Sequence, residues 1–214
     1  MERQPLRLHG EGLTLLRVLA DGASVSFRHE PEGSGGDLVI DNPPEADAFT
    51  LEIRNTCSPE KNSELSGLYT SGSPAMFCTQ CEAEGFRRIT WFLDRPDVMA
   101  VYTVTLRADK ARFPVLLSNG NLVEQGDLDN GRHFAKWHDP FPKPSYLFAL
   151  VAGRLVAREQ RVRTRAGKDH LLQVYVRPGD LEKTEHTLRS LVASLVWDEA
   201  RFGLPLDLER YMIC

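Results

Sequence analysis

Apolar and polar positions alternate in short runs along most of the chain, and turn-forming residues close each run. Positions 13–18 and 37–40 read as strands, and 49–53 (FTLEI) has the two-residue alternation of a half-buried strand. The run 101–106 (VYTVTL) is rich in β-branched and aromatic side chains, which suit a pleated surface. Positions 115–117 lead into Asn119-Gly120, and the next run begins at Leu122. Asn-Gly tolerates positive φ at both turn positions, so this is the strongest hairpin signal present. Positions 133–137 and 146–151 continue the pattern. Between them Pro140, Pro142 and Pro144 forbid helix and favour an extended connection. Up to about Gly153 the pattern predicts an all-β region.

After Gly153 the pattern changes. Two strands are expected at 155–164 and 171–176, linked by the turn residues Ala166-Gly167-Lys168. One long helix follows. Leu188, Leu191, Val192, Leu195, Val196 and Phe202 recur mostly at three- and four-residue steps and make one apolar stripe. Asp180 reads as its N-cap and Gly203 as the residue just past its end. Positions 208–213 read as a further strand. The chain stops there, at Cys214, which reads as a domain left unfinished. There is no internal repeat, low-complexity segment or long charge run, and SGSPA and PEGSGG read as short loops.

Composition narrows the function classes. Of 214 residues, 42% are hydrophobic and 26% charged, the balance of an ordinary globular protein. A formal net charge of −4 argues against nucleic-acid or anionic-membrane partners, which favour clustered Lys and Arg. No apolar run approaches the roughly 18 residues of a membrane span. MERQPLRLHG has no apolar core of a signal peptide, so the expected compartment is the cytoplasm. In such a compartment Cys57, Cys78, Cys81 and Cys214 are expected as thiols. Cys78 and Cys81 form the single Cys-x-x-Cys pair. A structural zinc site needs a second pair at matching spacing, and a thioredoxin-like role needs a βαβ context, so both are minor readings.

The densest polar constellation is CTQCEAEGFRRITWFLDRPDV, at 78–98. Gln80, Glu82 and Glu84 would share one face of a strand or extended loop. Acids so placed could bind a cation, an ammonium or a metal, or act as general acid and base. The plainer reading, favoured on spacing alone, is a solvated edge whose acids pair with Arg87, Arg88 or Arg95. His133 and His138 flank FAKW and, with Asp139, resemble a triad only in composition. In a strand their side chains point to opposite faces, so satisfied or exposed histidines are expected. No Gly-rich phosphate loop, nucleophile elbow or His-Glu-x-x-His occurs.

The same stretch, CTQCEAEGFRRITWFLDRPDV, resembles a signature of the bacterial aminopeptidases N, in the gluzincin family that also includes leukotriene hydrolases. NSELSGLYTSG (62–72), LLSNGN (116–121), NGRHFAKWHDPFPKPSYLFALVAG (130–153) and WDEARFGLPLDLERYMI (197–213) resemble that family in the same order. The resemblance covers essentially the whole chain. It implies a mainly β fold: an N-terminal β-sandwich or saddle domain over 1–153, then the first strands and helix of a thermolysin-like catalytic domain over 154–214. It implies a zinc-dependent aminopeptidase acting on peptides with a free N-terminus. Family members hold zinc with His-Glu-x-x-His and a later Glu, and recognise the substrate amine with Gly-Ala-Met-Glu-Asn. Neither string occurs here, so the chain is expected to be an N-terminal fragment, inactive alone, with no catalytic residue, no metal ligand and no zinc of its own.

What the resemblance leaves to this chain is Gln80 and Glu82. It implies that they line the first subsite and hold the substrate's α-ammonium, the carboxylate neutralising it and the amide carbonyl accepting a proton. The expected partners are peptide substrates and the rest of the catalytic domain, with no nucleic acid and no membrane. The family's β-domain usually begins with further strands ahead of PLRLHGEGL. Without them, unpaired sheet edges would favour self-association. Two other readings stand beside the fragment: a stand-alone β-domain that binds proteins or peptide ends, and a small zinc or redox protein built on Cys78 and Cys81.

Overall fold

A computed structural model describes residues 4–30 and 36–214. The run PEGSGG, read as a loop, lies outside the described residues except for Gly36, as do the first three residues of MERQPLRLHG. The chain divides into two compact units, one of residues 1–101 with 141–151, the other of residues 102–140 with 152–214.

The first unit is built from short strands. They are β1 (Leu6–Leu8), β2 (Thr14–Ala20), β3 (Ala23–Ser24), β4 (Phe27–His29), β5 (Leu38–Ile40), β6 (Leu51–Thr56), β7 (Gly67–Ser71) and β8 (Met76–Gln80). Two three-stranded sheets, ordered β1-β5-β4 and β3-β2-β6, carry the expected strands near 13–18, 37–40 and 49–53. Leu8, Leu13, Val18, Leu38, Ile40 and Trp91 form one core, the apolar member of each alternation turned inward. Trp91 donates from Nε1 to the Gly36 carbonyl at 2.9 Å. Its ring leaves no room at Gly10, where a Cβ would lie 2.1 Å from that nitrogen. Strands β7 and β8 form an antiparallel hairpin that places Gln80 opposite Gly67.

The second unit contains almost all of β9 (Ala100–Asp109), with β10 (Val115–Ser118), β11 (Asn121–Asp127) and most of β12 (Arg132–Lys143). After β13 (Leu150–Gly153), which begins in the first unit, come β14 (Val156–Arg163), β15 (Asp169–Val176), α1 (Glu185–Phe202) and β16 (Arg210–Ile213). The hairpin signal at Asn119-Gly120 is half right. Gly120 takes the positive φ of +86° that such a turn needs. Yet β10 and β11 lie in different sheets, and β11 pairs antiparallel with β12. A Cβ on Gly120 would stand 2.2 Å from the His138 carbonyl of β12, so the turn is pressed against the strand that captures β11. The proline run is extended as expected, since β12 continues through Pro140 and Pro142. The strand expected at 146–151 begins later, because Ser145–Leu147 winds into a 3-10 turn after Pro144.

Strands β14 and β15 pair antiparallel and β16 joins β15 in parallel. The register puts Leu172, Val174 and Ile213 on one face, where Leu188, Leu191, Val192 and Leu195 of α1 cover them. Gly203 ends the helix in the left-handed region, its N–H donating to the Glu199 carbonyl at 3.0 Å. Two expectations for this helix fail. Asp180 makes no side-chain cap and instead opens a 3-10 turn over Leu181–Thr184 ahead of α1. Val196 and Phe202, placed on the stripe, are 49% and 62% exposed, because the sheet reaches only the helix face centred on Leu188 and Leu195.

Leu172 is fully buried, so Leu172→Ala should lower unfolding free energy by about 2–5 kcal/mol. Leu204→Ala, at an exposed position, should change it by no more than about 0.5 kcal/mol. Urea denaturation followed by circular dichroism measures both.

Candidate functional site

The polar constellation at 78–98 starts as strand β8 and stops being one at Gln80. Cys81 is 2% exposed, and the chain then turns, the Gly85 N–H donating to the Cys81 carbonyl at 2.7 Å. Glycine is required at position 85. A Cβ there would fall 2.4 Å from the Gln80 carbonyl oxygen and 2.8 Å from the Gly67 nitrogen. The next three residues, Phe86–Arg88, form a 3-10 turn. Phe86 is held edge-on between Phe92 and Phe148, at ring separations of 5.1 and 5.0 Å.

This turn breaks the shared face expected for Gln80, Glu82 and Glu84, since the two-residue alternation holds only while the chain is extended. Glu84 swings to Arg87, with Oε2 3.2 Å from Nη1. Arg88 pairs with Glu11 at 2.5 Å, and Arg95 with Asp97 at 3.1 Å. The plainer reading therefore holds for Glu84, Arg88 and Arg95, while Arg87 also reaches the buried Asp94. It does not hold for Glu82, whose exposed carboxylate has no ion-pair or hydrogen-bond partner among the described residues. Gln80, also exposed, donates from Nε2 to the Glu82 backbone carbonyl at 3.3 Å, which leaves its Oε1 as a spare acceptor. The peptide between Glu82 and Ala83 is cis. The structure thus brings Gln80 and Glu82 together and separates Glu84 from them.

Asp94, which the sequence reading did not single out, holds this corner in place. It is 4% exposed. Its Oδ2 accepts from Arg87 Nε at 2.9 Å and from the Arg87 backbone N–H at 3.2 Å. Its Oδ1 accepts from the buried Ser145 hydroxyl at 2.5 Å. Its own N–H donates to His9 Nδ1 at 3.2 Å, and its carbonyl accepts from Arg87 Nη2 at 3.0 Å. The only local signal for this network was the Arg-rich, acid-rich composition of the stretch, which does not say which acid is buried.

The remaining candidates are accounted for locally. Burial first, and the Asp94 carboxylate second, push the Cys81 thiol up to about 12, so it carries no reactive thiolate near neutral pH. All four cysteines are free thiols. Among the described residues no group of three or more His, Cys, Asp and Glu side chains lies close enough to hold a metal ion. His138 Nδ1 is 2.9 Å from the Thr103 hydroxyl and His133 Nε2 is 2.7 Å from the Phe113 carbonyl, so the two serve separate local bonds and form no triad. No helix among the described residues is long and apolar enough to cross a membrane.

Comparison with known proteins adds to this geometry. Residues 5–147 match the family described as Peptidase M1 N-terminal domain. Aminopeptidase N of Escherichia coli is 52% identical over 209 residues, covering 98% of this chain and 23% of that protein. Leukotriene A-4 hydrolase of Xenopus laevis is 30% identical over 171 residues, 74% of this chain and 27% of that protein. The crystal structure of Legionella pneumophila aminopeptidase A in complex with aspartic acid superposes with a TM-score of 0.90 at 34% identity, covering 98% of this chain and 24% of that one. The chain therefore spans about a quarter of the length of the curated relatives it matches.

Asp94→Ala should destabilise the chain by about 3–5 kcal/mol, because it leaves the guanidinium of Arg87 without its buried counter-charge. Glu84→Ala, at an exposed pair, should cost less than about 1 kcal/mol. Chemical denaturation of the two variants separates these cases. Cys81 adds a pH dependence. Its neutral thiol is favoured in the folded state, so its contribution is intact below the ordinary thiol value of 9.0 and is lost as pH rises toward about 12. Folded protein at pH 8 should leave Cys81 unlabelled by Ellman's reagent, and labelling should follow unfolding.

Proposed function

The chain belongs to the M1 peptidase family, whose N-terminal domain it carries over residues 5–147, and from that premise we propose that its share of the work is to recognise the free amino terminus of a peptide through Gln80 and Glu82. The observation that carries this reading is the unpartnered carboxylate of Glu82 beside the spare carbonyl of Gln80, in a stretch where every neighbouring charge is already paired. An α-ammonium brings one positive charge and three N–H donors. Glu82 neutralises the charge and Gln80 Oε1 accepts one donor, while the turn held by Gly85 and Asp94 keeps the two in register. A blocked or internal residue has no ammonium to offer and leaves Glu82 unpaired, so the site selects chain ends.

The whole protein that carries this segment is, on this proposal, an aminopeptidase. Its family is generally zinc-dependent. Among the described residues no group of side chains fits a zinc ion, and the part proposed for Gln80 and Glu82 is to bind and orient the substrate's amine. Residues 1–153 are on this reading the β-domain, and 154–214 the opening of the catalytic domain.

In the aminopeptidase carrying this segment, Glu82→Gln should lower kcat/KM for an unblocked peptide by about 10- to 100-fold, the range set by losing one charge-assisted bond. Gln80→Ala should lower it less, since it removes a neutral acceptor. Unchanged kcat/KM in Glu82→Gln would sink the proposal. Measurable affinity of the 214-residue chain for unblocked peptides, lost in Glu82→Gln, would extend it to a chain that binds peptide ends alone.

A further inference from the structure

The sheet β14-β15-β16 has two unlike faces. On the face away from α1 the register aligns Glu159 with Gln173 and Ala157 with Tyr175, and places Arg210 beside Leu171. A cavity of about 650 Å³ within the second unit is lined by Gln173, Tyr175 and Arg210 from this face and by Leu116, Leu122 and Trp137 from β10, β11 and β12. Its volume lies within the range of small-molecule sites, and its lining sets Leu116, Leu122 and Trp137 beside a larger share of polar side chains.

The charges and hydrogen bonds of the lining say what would fit. Lys110 and Asp127 also reach the cavity, but they pair with each other at 2.5 Å. Arg210 is the lining's one cation without an acid partner among the described residues. Its guanidinium lies over the Trp137 ring at 5.3 Å, and its Nε has no hydrogen-bond partner. Gln173 is 4% exposed. Its Nε2 donates to Glu159 Oε1 at 2.5 Å and to the Tyr175 hydroxyl at 3.0 Å, while its Oε1 has no donor. A buried acceptor and a buried guanidinium N–H left without hydrogen-bond partners are costly unless something supplies them.

We propose that this cavity binds a small organic carboxylate with an apolar body and an N–H next to the acid group. The carboxylate pairs with Arg210, whose planar fork matches it. The N–H satisfies Gln173 Oε1, and the apolar body packs on Leu116, Leu122 and the indole of Trp137. This chemistry is that of an N-acylated amino acid or of the carboxyl end of a short peptide. The lining includes neither Gln80 nor Glu82, and this ligand needs no free amine.

The test titrates the 214-residue chain with N-acetyl-phenylalanine and follows tryptophan fluorescence. This probe has no ammonium, so it does not report on Glu82, and failure here leaves the amino-terminus reading untouched. Saturable binding is expected, weakened about tenfold or more when the probe's carboxylate is replaced by a carboxamide, and likewise in Arg210→Met. Leu122→Trp, which fills the cavity, should remove binding without lowering the melting temperature, and Glu82→Gln should leave binding unchanged. Equal affinity for acid and carboxamide, or no saturation up to about 10 mM probe, would overturn the proposal. Displacement of the probe by an equal concentration of inorganic phosphate would overturn the carboxylate assignment.

Discussion

Asp94 is a carboxylate taken almost wholly out of water, and a buried anion persists only where charge and hydrogen bonds compensate it. Arg87 supplies the charge, and Arg87 and Ser145 supply the bonds, while the Asp94 backbone N–H donates to His9. These partners lie 7, 51 and 85 residues from Asp94, so one residue ties its own stretch to two distant parts of the first unit. The 3-10 turn at Phe86–Arg88 sits on this anchor, with Phe86 wedged between Phe92 and Phe148. The turn from Cys81 to Gly85, and with it the position of Glu82, follows from that attachment.

The contrast between Asp94 and Glu82 gives the corner its character. Asp94 is saturated with donors and does structural work, while Glu82, twelve positions earlier, keeps its charge free at the surface. Cys81, the residue between Gln80 and Glu82, is buried and its thiol is pushed up to about 12, which removes a competing nucleophile from beside the site. A rigid base, an inert neighbour and one free carboxylate suit recognition of a cation better than proton transfer.

The second unit separates its functions by sheet face. Leu172, Val174 and Val176 of β15 pack on α1, while Gln173 and Tyr175 face a cavity with Arg210. Burying polar side chains on a sheet face costs stability, and here that cost is offset in part by the bonds from Gln173 to Glu159 and Tyr175. The two groups left over, Gln173 Oε1 and Arg210 Nε, are what make the cavity chemically specific.

Much of the fold was legible in the chain itself. The alternations at 13–18, 37–40, 49–53 and 101–106, the change of pattern after Gly153, the helix and its terminal Gly203 all depend on neighbours within a few positions, and all appear as strands, helix and cap. The long strings shared with the M1 peptidases identified the family for the same reason, being contiguous. Tertiary structure decided the rest. It paired β11 with β12 in place of β10, left Val196 and Phe202 outside the packed stripe, buried Asp94, and gave Glu84 a partner while leaving Glu82 without one. The burial of Asp94 and the exposure of Val196 and Phe202 depend on groups that meet across tens of residues, and the partners of β11 and Glu84 on how the chain turns, where local periodicity carries no information.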